Sequence, residues 1–371
     1  MTDWTEIKLS DIFDFYNGKS IKPGGEGIYK VYGSNGVIGG SPEYKYERSA
    51  IIGRVGAYCG SIEYSFDKFW ASDNTIVAKA KKELLNDFFS YYLLKHLNLG
   101  RYAGGAAQPL LTQTVVKNIE TKIPEYNVQQ KIATILSTYD KLIENNTRRV
   151  EILEEMAQRI YKEWFVDFKY PGHENDELIE SELGMVPEKW NIKKIGDLIS
   201  LEYGKPLIKN KRIPGNVPVY GSSGIIGYHN FALSKGPRVV VGRAGNAGQI
   251  HFSSTDFFSV DSTFYVKRLD KNLSQQFLYY LLLQLNLKKL ISGSAVPGIN
   301  RNHIYLLKTV LPEKKILQRF YDLIVPIFNK KQTLLEKNKI LNDTKDFLLP
   351  KLISGKVDVS DLDIDVKNIN D

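Results

Sequence analysis

The sequence predicts an α+β protein: two mixed α/β domains in tandem repeat, separated by two long helices that pair as an antiparallel coiled coil. Three observations carry that prediction. The phrase VYGSNGVIGG at 31–40 returns as VYGSSGIIGY at 219–228, identical at seven of ten positions. Each copy opens with a glycine-rich stretch of short β-branched and aromatic runs. Each copy closes with a stretch of about 40 residues whose apolar side chains recur at heptad-like spacing.

The repeat extends well beyond the opening phrase, so it is read before any local structure. IIGRVGAYCGSIEY at 51–64 parallels VVGRAGNAGQIHF at 240–252 with a single-residue gap. WASDNTIVAK at 70–79 parallels FSVDSTFYVK at 258–267, and YYLLKHLNL at 91–99 parallels YYLLLQLNL at 279–287. Trp4 and Gly18 answer Trp190 and Gly204. The predicted boundaries are a first domain over 1–124, a long helix over 125–170, a second domain over 175–312, a second long helix over 313–355 and a tail over 356–371.

Within each domain, SAIIGRV, NTIVAK and RVVVGRA read as short strands, and Asn35-Gly36 and Ser223-Gly224 as hairpin turns, where positive φ is tolerated. One helix is predicted at LLNDFFSYYLLKHL and again at SQQFLYYLLLQL. Asn127 with Gln130 resembles a capping box opening the first long helix. Its apolar seam is predicted to be Ile132, Ile135, Tyr139, Leu142, Leu153, Met156 and Ile160. The second seam is predicted to be Phe320, Leu323, Ile327, Leu334, Leu341 and Leu348, with Pro326 kinking or restarting that helix. Polar residues fall midway, Asn146 and Arg149 in one helix and Lys330 and Lys337 in the other. They set register, meet a partner chain or face water.

Composition narrows the function classes. The chain has 371 residues, 43% hydrophobic and 12% aromatic, ample for packed cores. A single cysteine, Cys59, argues against a disulfide framework and suits a reducing cytoplasm. The five histidines are scattered, so no metal is expected. Met1 to Ser10 is polar and charged, unlike a signal peptide, and no apolar run approaches the ~20 residues of a membrane span. The net charge of +8 is uneven: residues 175–312 carry 17 basic and 10 acidic side chains, a net of +7, against +2 for residues 1–124. Such a bias favours a polyanionic partner.

Catalytic motifs fail on inspection. NGKS at 17–20 resembles the tail of a phosphate-binding loop, but that motif requires glycine where Phe13 stands. No two prolines are adjacent, which removes the Pro-Pro loop of an amino-methyltransferase, and no Gly-x-Ser-x-Gly elbow is present. Glu43-Tyr44-Lys45 could end a nuclease motif, yet its repeat counterpart at Ala232 lacks the acid. A duplicated chain of this kind suits reading two features a fixed distance apart.

LEEMAQRIYKEWFVDFKYPG at 153–172, followed by ELGMVPEKW at 182–190, resembles the specificity subunits of type I restriction-modification systems. IPEYNVQQKIATILSTYDKLI at the entry to the first helix and FLLPKLISGKV at the exit from the second support the likeness, which spans roughly residues 3–360. The resemblance implies a non-catalytic reader of double-stranded DNA. The two domains would be target recognition domains for a bipartite target, with the long helices as spacer. Two methyltransferase subunits, which carry S-adenosylmethionine, would dock on the helices, and restriction subunits with helicase-like motors would join them. The chain itself would need no cofactor and no membrane.

The repeats diverge at KSIKPGGEGIYK against KPLIKNKRIPGNVP and at GGAAQPLLTQT against SGSAVPGINRNH, where two different half-sites would be read. Gln108, Gln113, Asn300 and Arg301 are candidates for base contacts, because Asn and Gln pair with adenine and Arg with guanine. Capping turns or facing water is their competing role. Lys205, Lys209, Lys211 and Arg212 are candidates for phosphate contacts. Arg54 and Arg243 recur in the shared scaffold, which argues for phosphate binding or turn stabilisation. Lys19, Ser34, Asn35, Ser222, Ser223 and Asn246 complete the DNA-binding candidates. Trp164 and Phe165 are candidates for packing against the recognition domains or for contact with a partner. Two other classes stay open: an enzyme with an unrecognised site in the glycine loops, marked by a bound metal or nucleotide, and a protein-only scaffold, marked by failure to enrich any DNA sequence.

Overall fold

The computed structural model describes residues 4–22, 24–105, 108–293 and 297–366. Pro23, Ala106, Ala107 and residues 294–296, parts of the divergent loops, lie outside the described residues. The chain divides into two compact units, Met1–Asn146 with Lys337–Asp371, and Thr147–Glu336. Each long helix contributes one half to each unit.

The first unit is built on a six-stranded sheet, in the order Phe13–Asn17, Thr75–Ala80, Tyr46–Gly53, Ile62–Ala71, Tyr29–Gly33, Gly36–Ser41. The second unit repeats this order in two pieces. A four-stranded sheet runs Ile199–Tyr203, Thr263–Arg268, Arg238–Gly242, Ile250–Ser253, and a three-stranded sheet runs Gly224–His229, Val217–Gly221, Phe258–Ser259. The single strand Ile62–Ala71 corresponds to the two strands Ile250–Ser253 and Phe258–Ser259, so one interruption separates otherwise equal topologies. The predicted hairpin turns are present, displaced by one residue. Gly33 pairs with Gly36, so Ser34 and Asn35 form the turn and Gly36 opens the next strand at φ +96°.

Helix Asp87–His96 starts where the Asn86 side chain accepts the Phe89 amide, and helix Gln275–Gln284 where Ser274 accepts that of Phe277. Both close at an asparagine in the left-handed region, Asn98 at φ +47° and Asn286 at φ +46°. Their apolar faces, among them Phe89 and Leu93 or Phe277 and Leu281, lie in the cores of their units.

The long helices are Tyr126–Phe165 and Lys314–Ile353, each of 40 residues. Asn127 lies inside the first turn and does not cap the first helix. The buried Gln129 secures this entry instead: its Oε1 accepts the Asn86 amide at 3.0 Å, and its Nε2 donates to the Leu84 and Pro124 carbonyls, each at 3.0 Å. The second helix continues through Pro326 without restarting. Proline removes one donor there, but Ile324 and Phe328 on either side are buried in the core, and that packing outweighs a single lost bond.

In the first unit the helices run antiparallel, with Lys345 Nζ 2.6 Å from Asp140 Oδ1 and Asn146 bonded to Asn338. In the second unit Lys331 meets Glu154 at 3.0 Å and Phe165 packs on Phe320, again antiparallel. Ile132, Phe320 and Leu334 are buried as predicted, but elsewhere the seam departs from its prediction by a fraction of a turn. Leu142 and Met156 are 48% and 47% exposed, while Leu136, Val150 and Ala157 are buried. Leu323 is likewise exposed and Ile324 buried. A strict heptad count drifts about 20° per heptad from a straight helix, and apolar residues on both faces disguise the drift. Among the described residues no helix is long and apolar enough to cross a membrane.

Candidate nucleic-acid interface

In each unit one short loop organises the candidate residues. In the first it is Ala71–Thr75. The Ala71 carbonyl accepts the Lys19 amide at 2.8 Å, and the Thr75 carbonyl accepts that of Gly18 at 3.1 Å. The Asn74 carbonyl accepts both the Ser34 hydroxyl at 2.6 Å and the Arg54 amide at 2.9 Å. The Arg54 carbonyl then accepts the Leu111 amide at 2.9 Å, which places the helix Gln113–Lys117. The equivalent loop, Ser259–Thr263, does the same in the second unit. Ser259 accepts Lys205, Thr263 accepts Gly204, Ser262 accepts Arg243, and the Arg243 carbonyl accepts Ile299 at 2.9 Å. The two loops align in sequence, but only the tertiary hydrogen bonds reveal that they tie the site together.

This geometry explains the repeated Gly-Lys. A Cβ at Gly18 would sit 1.8 Å from the Ser72 carbonyl oxygen, and one at Gly204 2.1 Å from that of Val260. Glycine is required by close approach of the loop backbone, independently of any phosphate.

In the first unit Lys19, Asn35 and Gln108 are exposed, and Gln113 is half-buried. Gln113 Nε2 donates to Asn17 Oδ1 at 2.9 Å. Both line a cleft of about 640 Å³ with Tyr16, Tyr44, Lys45 and Tyr46. Lys19 stands beside Lys45 and lowers its pKa below the ordinary lysine range, through a side-chain hydrogen bond, then burial and like-charge repulsion. Lys45 in the cleft wall, with Lys19 beside it, puts positive charge at a concave, aromatic-lined surface, which suits an anion.

In the second unit Lys205, Lys209, Lys211, Ser223 and Asn246 are exposed. Arg212 is not among the free cations: Nη1 donates to the Ile226 carbonyl at 2.6 Å and the side chain braces the hairpin. Ser222 is half-buried, and its carbonyl faces His251 Nε2 at 3.0 Å. Asn300 caps the helix Arg301–Leu306 through the Asn302 amide at 2.9 Å, so turn capping claims it. Arg243 Nε donates to the Asp261 carbonyl at 3.0 Å, the turn-stabilising role weighed for it. The guanidinium of Arg301 lies 4.9 Å from the Tyr203 ring centre, and that of Arg243 5.7 Å from the same ring. Asn17 and Tyr203 escaped the sequence reading. They occupy matching strand positions, paired with Ile76 and Phe264.

The helix candidates separate in the same way. Asn146 lies in the seam of the first unit, whereas Arg149, Lys330 and Lys337 are exposed. Lys331 and Asn338, each one residue on from a predicted position, meet the first helix instead. Phe165 is 7% exposed among Trp190, Phe277 and Phe320. Trp164 packs 6.0 Å from Phe320. Both therefore serve packing within their own unit.

Residues 1–155 and 187–343 match the family model described as type I restriction modification DNA specificity domain. The chain is 28% identical over 306 residues to the type I restriction enzyme MjaIX specificity subunit of Methanocaldococcus jannaschii, covering 74% of this chain and 70% of that one. It is 23% identical over 410 residues to the MjaVIII specificity subunit of the same organism, covering 97% and 94%. Among solved structures, the S subunit of the type I restriction-modification system from M. genitalium shares the fold, with a TM-score of 0.68 at 17% identity over 95% of this chain and 96% of that one. With its duplicated loop-centred site and matching family model over both copies, the chain belongs to the type I restriction-modification DNA specificity family.

Proposed function

We propose that the chain reads a bipartite double-stranded DNA target, one half through each unit, and positions methyltransferase subunits on it. The observation that carries this reading is the duplicated frame: the same loop presents a different set of polar side chains in each copy. Residues 1–124 and 175–312 then act as recognition domains, and 125–170 and 313–355 as spacer and docking helices. Lys19, Lys45, Lys205, Lys209 and Lys211 supply phosphate contacts, which fix position without selecting bases.

The docking residues are better sought among exposed apolar side chains than in the seam. Ile340 and Phe347, seven residues apart on one helix face, are 64% and 61% exposed in the first unit. Ile152, Met156 and Leu335 are exposed in the second. Such surface on a helix suits a protein partner. S-adenosylmethionine would be held by the methyltransferase, restriction subunits would join the same assembly, and the complex would act in the cytoplasm.

Methylome sequencing of cells that express the chain with its cognate methyltransferase tests this reading. A two-part methylated motif is expected. Exchanging residues 175–312 for those of a relative should change one half of the motif and preserve the other. Loss or alteration of both halves together would overturn the proposal.

A further inference from the structure

Resting on that reading of two DNA half-sites, we infer that the pair at the strand end and helix start of each unit selects a purine: Asn17 and Gln113 an adenine, Tyr203 and Arg301 a guanine. The two pairs occupy the same place in the repeat. Asn17 ends strand Phe13–Asn17 and Tyr203 ends strand Ile199–Tyr203, at matching registers. Gln113 and Arg301 are each the first residue after a helix cap, Thr112 and Asn300. Those helices hang from the same bond, Leu111 to Arg54 and Ile299 to Arg243. Position is thus held constant while the chemistry changes.

In the first unit the pair consists of two amides. One Nε2 hydrogen of Gln113 is used by Asn17 Oδ1, which fixes the orientation of the Gln113 amide. Its Oε1 and second Nε2 hydrogen remain, an acceptor beside a donor, which matches the N6 donor and N7 acceptor of adenine. Guanine offers two acceptors at that edge, O6 and N7, and would face Oε1 without a proton. The Asn17 backbone is itself held, its carbonyl accepting the Tyr46 hydroxyl at 2.9 Å.

In the second unit the pair is a cation on an aromatic ring. Arg301 Nη1 donates to the Leu201 carbonyl at 3.2 Å, and the guanidinium rests over Tyr203. That bond uses one of its five N–H groups and the ring contact uses none, so the four that remain suffice for the two acceptors of guanine. Adenine, with a donor at N6, would oppose an N–H with an N–H. Tyr203 is a positioning residue: half-exposed, it fixes the plane of the fork and touches no base in this scheme.

The test transplants each pair into the other repeat of the full chain, assembled with its methyltransferase. The N17Y/Q113R variant should convert one adenine of the first half-site to guanine in the methylated motif, leaving the second half-site unchanged. The Y203N/R301Q variant should convert one guanine of the second half-site to adenine. A single Q113A should relax discrimination at that one position by roughly ten- to hundredfold in binding to duplexes differing there. If the wild type yields a bipartite motif but neither transplant changes any base, the inference fails while the two-reader function stands. If the wild type yields no motif, the function itself fails. Should one transplant not fold, judged by circular dichroism, the other variant and Q113A decide: discrimination unchanged by Q113A would overturn the adenine assignment.

Discussion

Asn146 donates its side-chain amide to Asn338 Oδ1 at 2.9 Å, and Asn338 donates in turn to the Ile143 carbonyl at 3.2 Å. A polar pair within a largely apolar helix seam costs stability and fixes register, because any shift breaks both of these bonds. Asn338→Leu alone should destabilise the first unit by about 1–3 kcal/mol, since it strands the Asn146 amide. The double variant N146L/N338L should recover much of that loss, which a double-mutant cycle on thermal melts would show. Equal destabilisation by the single and double variants would mean the two amides are not coupled.

The basic loop of the second unit splits into two roles. Replacing Lys205, Lys209 and Lys211 together with Ala should weaken DNA binding and reduce the log–log salt slope by roughly 2–3 units. Arg212→Ala should leave that slope alone and instead lower thermal stability, by about 0.5–1.5 kcal/mol, because the hydrogen bond that braces the hairpin at the Ile226 carbonyl is lost. Salt titration of the assembled complex, paired with melting curves, separates the two. A slope that responds to Arg212 and ignores the lysines would reverse the assignment.

Ile340→Glu with Phe347→Glu should abolish capture of the methyltransferase without disturbing the fold. Both side chains are exposed, so a charge there meets water in the free chain and costs little. In a docked helix face the same charge would be buried without a partner. Co-purification and circular dichroism of the variant provide the check; undiminished capture would place the docking surface elsewhere.

Much of the architecture could be read from residues because duplication makes errors visible twice. The two short helices, the hairpins and both 40-residue helices follow from composition and periodicity. What escaped depends on contacts that no local pattern encodes. Phe165 and Met156 look alike as apolar positions of one helix, yet only a tertiary neighbour, Phe320, distinguishes the buried ring from the exposed thioether. Arg212 and Lys211 are adjacent cations, and only the passage of the Ile226 carbonyl makes one of them structural. Gln113 was legible as a candidate reader, but its partner Asn17 is 96 residues away and belongs to a strand. Aligning the repeats and asking which unlike residues share a position would have exposed the Asn17–Tyr203 contrast.

The boundary between the units offers a test of the spacer. It falls between Asn146 and Thr147 in one long helix and between Glu336 and Lys337 in the other. Inserting seven residues of matching heptad pattern at each point leaves both units' internal contacts, including Asn146–Asn338 and Lys331–Glu154, within their own halves. Each insertion lengthens its helix by about 10 Å, close to three base pairs. A heptad keeps the apolar stripe within about 20° of its former direction, so the seam should re-form. Three base pairs, however, turn the second half-site by roughly 100° around the duplex, given about 10.5 base pairs per turn. The lengthened chain should therefore select the same two half-sites with a gap about three base pairs longer, and bind them more weakly because the DNA or the helices must twist to bring both into phase. Methylome sequencing reads the gap, and binding assays read the cost. An unchanged gap would show that the helices do not set the spacing, and altered half-sites would show that the units do not read independently of it.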